Sequence, residues 1–128
     1  MPINYVLVER GDPRDSSVPK KFYAQSRSRG EMTLRELSKR IADISTVSSI
    51  DTMAVLEALL QVIPEELTEG NIVRLGDFGS FFTSTQSSGA ETEENFDDSL
   101  IKKTAIRFRP GIQVNNVLKN VKYKKINS

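Results

Sequence analysis

Apolar residues recur at helical spacing in two neighbouring stretches of the chain. The first stretch has one apolar stripe, made by Leu34, Leu37, Ile41 and Ile44. Thr33 and Glu36 form a capping box that predicts the start of this helix, because hydroxyl and carboxylate satisfy free N–H groups. The second stretch, residues 50–63, is apolar on more than one face, and Ser48 or Ser49 can cap it. In a chain this small, such a helix predicts a partner subunit that covers the second face.

Two residues predict how the second helix ends. Pro64 lacks a backbone N–H and crowds the preceding turn, so it predicts either a kink or a fresh helical turn that begins there. Gly70 predicts a left-handed cap, because glycine adopts that conformation without steric cost.

A strand pattern follows, organised around Gly76 and Gly79, which allow a tight, close-packed corner. The predicted strands are residues 72–75, 80–85 and about 100–108. Residues 86–99 are polar and acidic, which predicts a long, mobile loop at the tip of a hairpin. A short closing helix is predicted after Pro110 and Gly111, from Val114, Val117, Leu118 and Val121.

The sequence of the N-terminal region predicts a β extension of the rest of the chain. Residues 3–9 are rich in strand formers, and residues 21–25 form a second, weaker strand pattern, which together predict a hairpin. The predicted organisation is a β extension over residues 1–30 and a main domain over residues 31–128, compact as a whole. The basic tail, residues 122–126, is a candidate for a last edge strand.

Composition excludes several classes of protein. A length of 128 residues suits one domain, and no apolar run is long enough to span a membrane. The first residues lack the apolar core of a signal peptide. Without any Cys or His, the chain has no disulfide framework, no thiolate metal site and no histidine base. These observations fit an intracellular protein that is not an enzyme and has no cofactor.

The net charge of +1 conceals a segregated pattern. Residues 1–30 carry +3, residues 31–70 and 71–100 carry −5 each, and residues 101–128 carry +8 from eight basic and no acidic side chains. Such asymmetry indicates a polyanionic partner. It equally fits a fold in which acidic and basic segments face one another.

The order of these elements resembles the HU and integration host factor family of bacterial histone-like proteins. The most specific motifs are Leu75-Gly-Asp-Phe-Gly-Ser-Phe81 and Arg107-Phe-Arg-Pro-Gly111, and the resemblance runs from Thr33 to Val121. It is greatest to the longer HU-like proteins that carry an N-terminal extension. The resemblance implies an α+β fold with two N-terminal helices, a three-stranded antiparallel sheet with an extended hairpin arm, and a C-terminal helix.

The resemblance also implies a function. HU-like proteins are homodimers whose basic arms neutralise DNA phosphates, mostly without sequence specificity, and bend the duplex. We therefore expect a nucleoid protein of the cytoplasm that binds DNA and has no small-molecule substrate. The expected DNA-contacting residues are Lys102, Lys103, Arg107, Arg109, Lys119 and Lys122. The alternative is that these cations are solvated surface or pair with carboxylates of the loop. Phe78 and Phe81 are expected to pack in the core.

The chain departs from the family pattern at the arm. The family's arm tip carries a proline that unstacks a base step, but residues 83–108 contain no proline here. The tip is instead acidic, with Glu91, Glu93 and Glu94. A second hypothesis follows: an HU-fold protein-interaction or structural module that has lost strong DNA binding because of its acidic arm.

Overall fold

The computed structural model describes residues 1–127 and has a mixed α+β fold, which confirms the predicted class. Within these residues there are three α-helices and two three-stranded sheets. The helices are α1 (Leu34–Asp43), α2 (Ser49–Thr68) and α3 (Ile112–Leu118). The strands are β1 (Ile3–Arg10), β2 (Lys21–Arg27), β3 (Val73–Arg74), β4 (Gly79–Ser87), β5 (Ile101–Pro110) and β6 (Tyr123–Lys125). No helix in this part of the chain combines the length and apolarity that a membrane crossing needs.

The chain forms two compact units. The first contains residues 1–33 and the segment that begins at Leu118, and the second contains residues 34–117. In the first unit β1 is the central strand, antiparallel to β2 and parallel to β6. The pairing of β6 with β1 therefore adds the end of the chain to the N-terminal strands. The predicted boundary at residue 30 stays a prediction.

The start of α2 has the cap that its sequence predicts. Ser48 precedes the helix in an extended conformation, and its hydroxyl oxygen accepts a hydrogen bond from the Asp51 N–H at 3.1 Å. The Thr52 hydroxyl donates to the Ser48 carbonyl oxygen at 2.8 Å. These bonds satisfy groups that the first helical turn otherwise leaves free, so α2 begins at Ser49.

The end of α2 confirms one prediction and corrects another. Gly70 has φ 89°, and the N–H of Asn71 donates to the Glu66 carbonyl at 3.1 Å, which is a left-handed glycine cap. Of the two alternatives predicted at Pro64, the fresh turn is wrong, because α2 runs through this residue without restarting, and the kink stays a prediction. Proline removes only one backbone bond, and the turns on both sides of it keep α2 helical.

The apolar surface of α2 is only partly covered within the chain. Val6 and Leu67, each 2% exposed, are the apolar residues of the described chain that are fully buried. Val55, Leu59 and Val62 lie along one stripe of α2 and are 66%, 38% and 48% exposed. A soluble domain does not ordinarily leave a helix stripe of this kind open to water.

The second sheet, in the order β3-β4-β5, is built on the predicted glycine corner. Gly76 (φ 54°) and Gly79 (φ 154°) both adopt conformations that favour glycine. The Leu75 N–H donates to the Gly79 carbonyl at 2.9 Å, which closes the turn between β3 and β4. A Cβ atom on Gly79 would lie 2.6 Å from the Arg109 carbonyl oxygen, so the strands approach more closely here than a side chain permits.

We predict that Gly79→Ala destabilises the protein. The added methyl group meets backbone oxygen of β5 and the Phe108 ring, in a conformation that alanine avoids. The free energy of unfolding should fall by about 2 kcal/mol or more, measured by urea denaturation. Gly89→Ala is the control, because no atom lies within 4 Å of its added Cβ. Equal stability of the two variants would contradict the close approach at Gly79.

Candidate nucleic-acid interface

The register of the second sheet gathers four cationic side chains on one face. Side chains alternate between the two faces along a strand, and paired residues share a face. Ser80 pairs with Arg74 on one side and with Arg109 on the other, while Phe82 pairs with Arg107 and Gln86 with Lys103. One face of the sheet thus carries Arg74, Lys103, Arg107 and Arg109, which we call the basic face.

The opposite face of the sheet is aromatic and apolar. Phe81 pairs with Phe108 in the register, and their ring centroids are 4.8 Å apart. The Phe78 ring lies 5.5 Å from the Phe108 ring, although Phe78 remains 46% exposed. The ring contacts agree with the packing role expected for Phe81, whereas the core position expected for Phe78 is not what the described chain shows, since this side chain is exposed.

Two arginines of the basic face are held by neighbours on β4. The Arg107 Nε–H donates to the Ser84 hydroxyl at 3.1 Å. The Arg109 guanidinium carbon lies 5.1 Å from the centroid of the Phe82 ring, a cation–π contact. Because each contact uses only part of a guanidinium, both groups keep N–H donors free for a phosphate. The contacts also restrict the rotamers of the two long side chains, which lowers the entropy cost of binding.

Arg74 belongs to this interface but was missing from the residues expected to contact DNA. It lies across Ser80 from Arg109, and both arginines, with Ser80 and Phe82, line one shallow groove. A count of charge by segment does not indicate that Arg74 contributes to a basic surface, because residues 71–100 carry a net charge of −5. Its position becomes visible only when β3 is placed beside β4.

The remaining expected residues do not all join the basic face. Lys102 has no register partner, because a β-bulge separates the pairs of Gln86 and Ser87. Lys119 and Lys122 belong to the first unit. All six expected residues are exposed, and within residues 1–127 none forms an ion pair with a carboxylate. Within residues 1–127, the structure therefore does not have the alternative arrangement, in which carboxylates of the loop pair with these cations.

The loop between β4 and β5 ends in an acidic turn. Asp97 precedes a short 3-10 helix, Asp98–Leu100, and accepts hydrogen bonds from the hydroxyl and the backbone N–H of Ser99. The hydroxyl bond, with the backbone bond second, lowers the pKa of Asp97. This carboxylate thus stays ionised to lower pH than an ordinary aspartate. No group of carboxylates within residues 1–127 has the arrangement of a metal site.

We predict that Ser99→Ala raises the pKa of Asp97 toward its ordinary value. The lost hydroxyl bond stabilises only the ionised form, so its removal favours protonation at higher pH. A carboxyl-carbon NMR titration measures the change. Asp15, whose pKa is lowered in the same way by Ser17, should titrate unchanged and serves as an internal control. An unshifted Asp97 in the variant would contradict this account of the turn.

Comparison with known protein families gives one match over most of the chain. A family model described as an HU domain fused to a wHTH, Ig or glycine-rich motif matches residues 1–125. No curated protein matches the sequence.

Among the solved structures that match this chain, two illustrate the shared fold. One is a protein from Bacteroides vulgatus, described as a candidate bacterial DNA-binding protein, with a TM-score of 0.67 and 13% identity. The match covers 97% of this chain and 47% of the Bacteroides chain, so the sequence spans about half of that protein. The other is HU from Anabaena in a cocrystal structure with DNA, with a TM-score of 0.55 and 22% identity. That match covers 70% of this chain and 99% of the Anabaena chain, and at these identities both matches show the fold alone.

Proposed function

The chain belongs to the HU-HIG family, in which an HU domain is fused to other motifs, and from this we propose that it is a non-enzymatic protein that binds duplex DNA. The observation that carries the proposal is the basic face, where strand register places Arg74, Lys103, Arg107 and Arg109 on one side of the sheet. The fold shared with Anabaena HU, which was crystallised with DNA, supports the same function.

The proposed binding is to the phosphate backbone and is largely independent of sequence. Arginine and lysine neutralise phosphates and release condensed counterions, which supplies most of the affinity in non-specific binding. Arg107 and Arg109 are suited to this role because Ser84 and Phe82 already orient them. Phosphate contacts position a protein on DNA but carry no sequence information. Lys102, Lys119 and Lys122 are proposed as further phosphate contacts, since they are exposed and not paired with a carboxylate of residues 1–127.

The acidic tip limits the proposed mechanism. A residue that unstacks a base step is usually an apolar wedge at a tip that can approach the groove. The tip of this arm carries Glu91, Glu93 and Glu94, which repel phosphates, and it has no proline. We therefore assign DNA contact to the body of the sheet and not to the end of the arm.

We further propose that the protein acts as a homodimer in the nucleoid, with residues 1–30 as an N-terminal β extension of the HU-like domain. The support for the dimer is the exposed stripe of Val55, Leu59 and Val62 on α2. Burying this stripe against a second copy removes apolar surface from water, at about 25 cal/mol for each Å².

We predict that Arg107→Gln with Arg109→Gln weakens DNA binding and reduces its salt dependence. Each lost phosphate contact should lower the slope of log K against log salt by about 0.9, and affinity should fall roughly tenfold per arginine. Fluorescence anisotropy with a labelled duplex over a salt series measures both quantities. Arg74→Gln should act in the same direction.

Lys39→Gln is the matched control for this series, because Lys39 is an exposed cation of α1 outside the sheet. If the wild-type protein fails to bind DNA at low salt, the proposed function is wrong. If it binds and the arginine variants behave like Lys39→Gln, the basic face is not the interface.

We predict that Val55→Asp prevents dimer formation. Ionised aspartate in an apolar interface loses its hydration without gaining a partner, which costs several kcal/mol. Sedimentation equilibrium should give the mass of one chain for the variant and of two for the wild type. Gln61→Asp adds the same charge on the polar side of α2 and should leave the dimer intact. A wild-type protein that is a monomer at high concentration would exclude the homodimer.

A further inference from the structure

The sheet of the first unit also has two faces of different chemistry. Its register runs from Asn4↔Arg27 to Arg10↔Lys21 between β1 and β2, and from Ile3↔Tyr123 to Tyr5↔Lys125 between β1 and β6. By the same alternation, one face carries four cations: Arg10, Lys21, Arg27 and Lys124. The other face carries Ile3, Leu7, Phe22 and Tyr123, together with Glu9 and Lys125. We call the first of these the cationic face of the N-terminal sheet.

The cations of this face are placed beside one another, and the nearest carboxylates along the chain, Asp12 and Asp15, lie in the connection between β1 and β2. Arg10 is directly opposite Lys21, and Asn4 has Arg27 on one side and Lys124 on the other. The one acidic residue of the three strands, Glu9, lies on the opposite face. All four cations are exposed, and within residues 1–127 none of them pairs with a carboxylate. Like charges in directly opposed positions destabilise a sheet, so an anionic ligand would relieve this repulsion.

The spacing of the cations fits an extended anion. Six residues of β1 separate Asn4 from Arg10, which places the two cation pairs about 20 Å apart along the strand. This distance corresponds to about six base steps of a DNA strand. Between the pairs, Val6 is 2% exposed and lies beside Gln25, so the exposed cations flank a covered centre.

We propose that the cationic face of the N-terminal sheet is a second contact surface for nucleic-acid phosphates, in addition to the basic face of β3–β5. An anionic membrane is the less suitable partner. Protein segments that lie on a membrane insert apolar side chains next to the cations that contact the lipid headgroups. The two most exposed aromatic residues of the sheet, Phe22 and Tyr123, 66% and 68% exposed, lie on the opposite face, and the cationic face has only Tyr23, 49% exposed. A surface with exposed cations at both ends suits a phosphate polymer.

The test compares two double variants that each remove two positive charges. Arg27→Gln with Lys124→Gln changes the cationic face, and Lys20→Gln with Lys125→Gln is the control. Lys125 is the neighbour of Lys124 and lies on the opposite face, and Lys20 precedes β2. The full chain is titrated against a labelled 30-base-pair duplex over a sodium chloride series, and circular dichroism verifies that each variant is folded.

The expected result is a fall of about two in the salt slope for the first variant, since each phosphate contact contributes about 0.9. The control should retain the wild-type slope. Equal salt slopes for the two variants would overturn the proposal of a second surface. The proposal would also be overturned if the first variant alone lost binding to phosphatidylserine vesicles while its DNA binding stayed unchanged. This inference rests on the proposed function, and failure of that function is distinguishable, because the wild-type protein itself would then not bind the duplex at low salt.

Discussion

The antiparallel pairing of β4 with β5 in one register is the constraint on which the candidate interface depends. The ladder runs from Gly79↔Pro110 to Gln86↔Lys103, and a slip of β5 by one residue would move Lys103, Arg107 and Arg109 to the opposite face. Two contacts hold the register at the end of the ladder away from the connecting loop. The Gly111 N–H donates to the Phe78 carbonyl at 2.8 Å, and Gly79 leaves no room for a side chain beside β5. Charge separation in this sheet is therefore a consequence of backbone pairing and not of ion pairs.

What could be predicted from the sequence depended on signals that are local in the chain. The cap at Ser48, the left-handed Gly70 and the corner at Gly76 each follow from one residue and its immediate neighbours, and all three are present. Pro64 is also a local signal, but there the continuity of a twenty-residue helix prevails over one missing hydrogen bond. The fold class could be predicted from the family motifs, because these motifs combine several such signals in a fixed order.

What could not be predicted depended on pairing between distant segments. Arg74 faces the same side as Arg109 only because β4 lies between them, and no period within β3 reveals this. The parallel pairing of Ile3 with Tyr123 joins segments that are about 120 residues apart in the sequence, and no local signal reveals it. Charge counts along the sequence failed for the same reason, since they add residues that lie on different faces.

The acidic tip and the basic face can coexist because salt screens charges over a short distance. Eight residues of β5 separate Ile101, next to the acidic turn, from Arg109, a distance of about 27 Å in an extended strand. The Debye length at physiological ionic strength is about 8 Å, so the carboxylates have little effect on Arg107 and Arg109. Lys102 and Lys103 lie within that distance of the turn and lose part of their attraction for phosphate. The electrostatic attraction of the arm for DNA therefore decreases from its base to its tip. In an arm that binds DNA at its end, this attraction would instead be greatest at the tip.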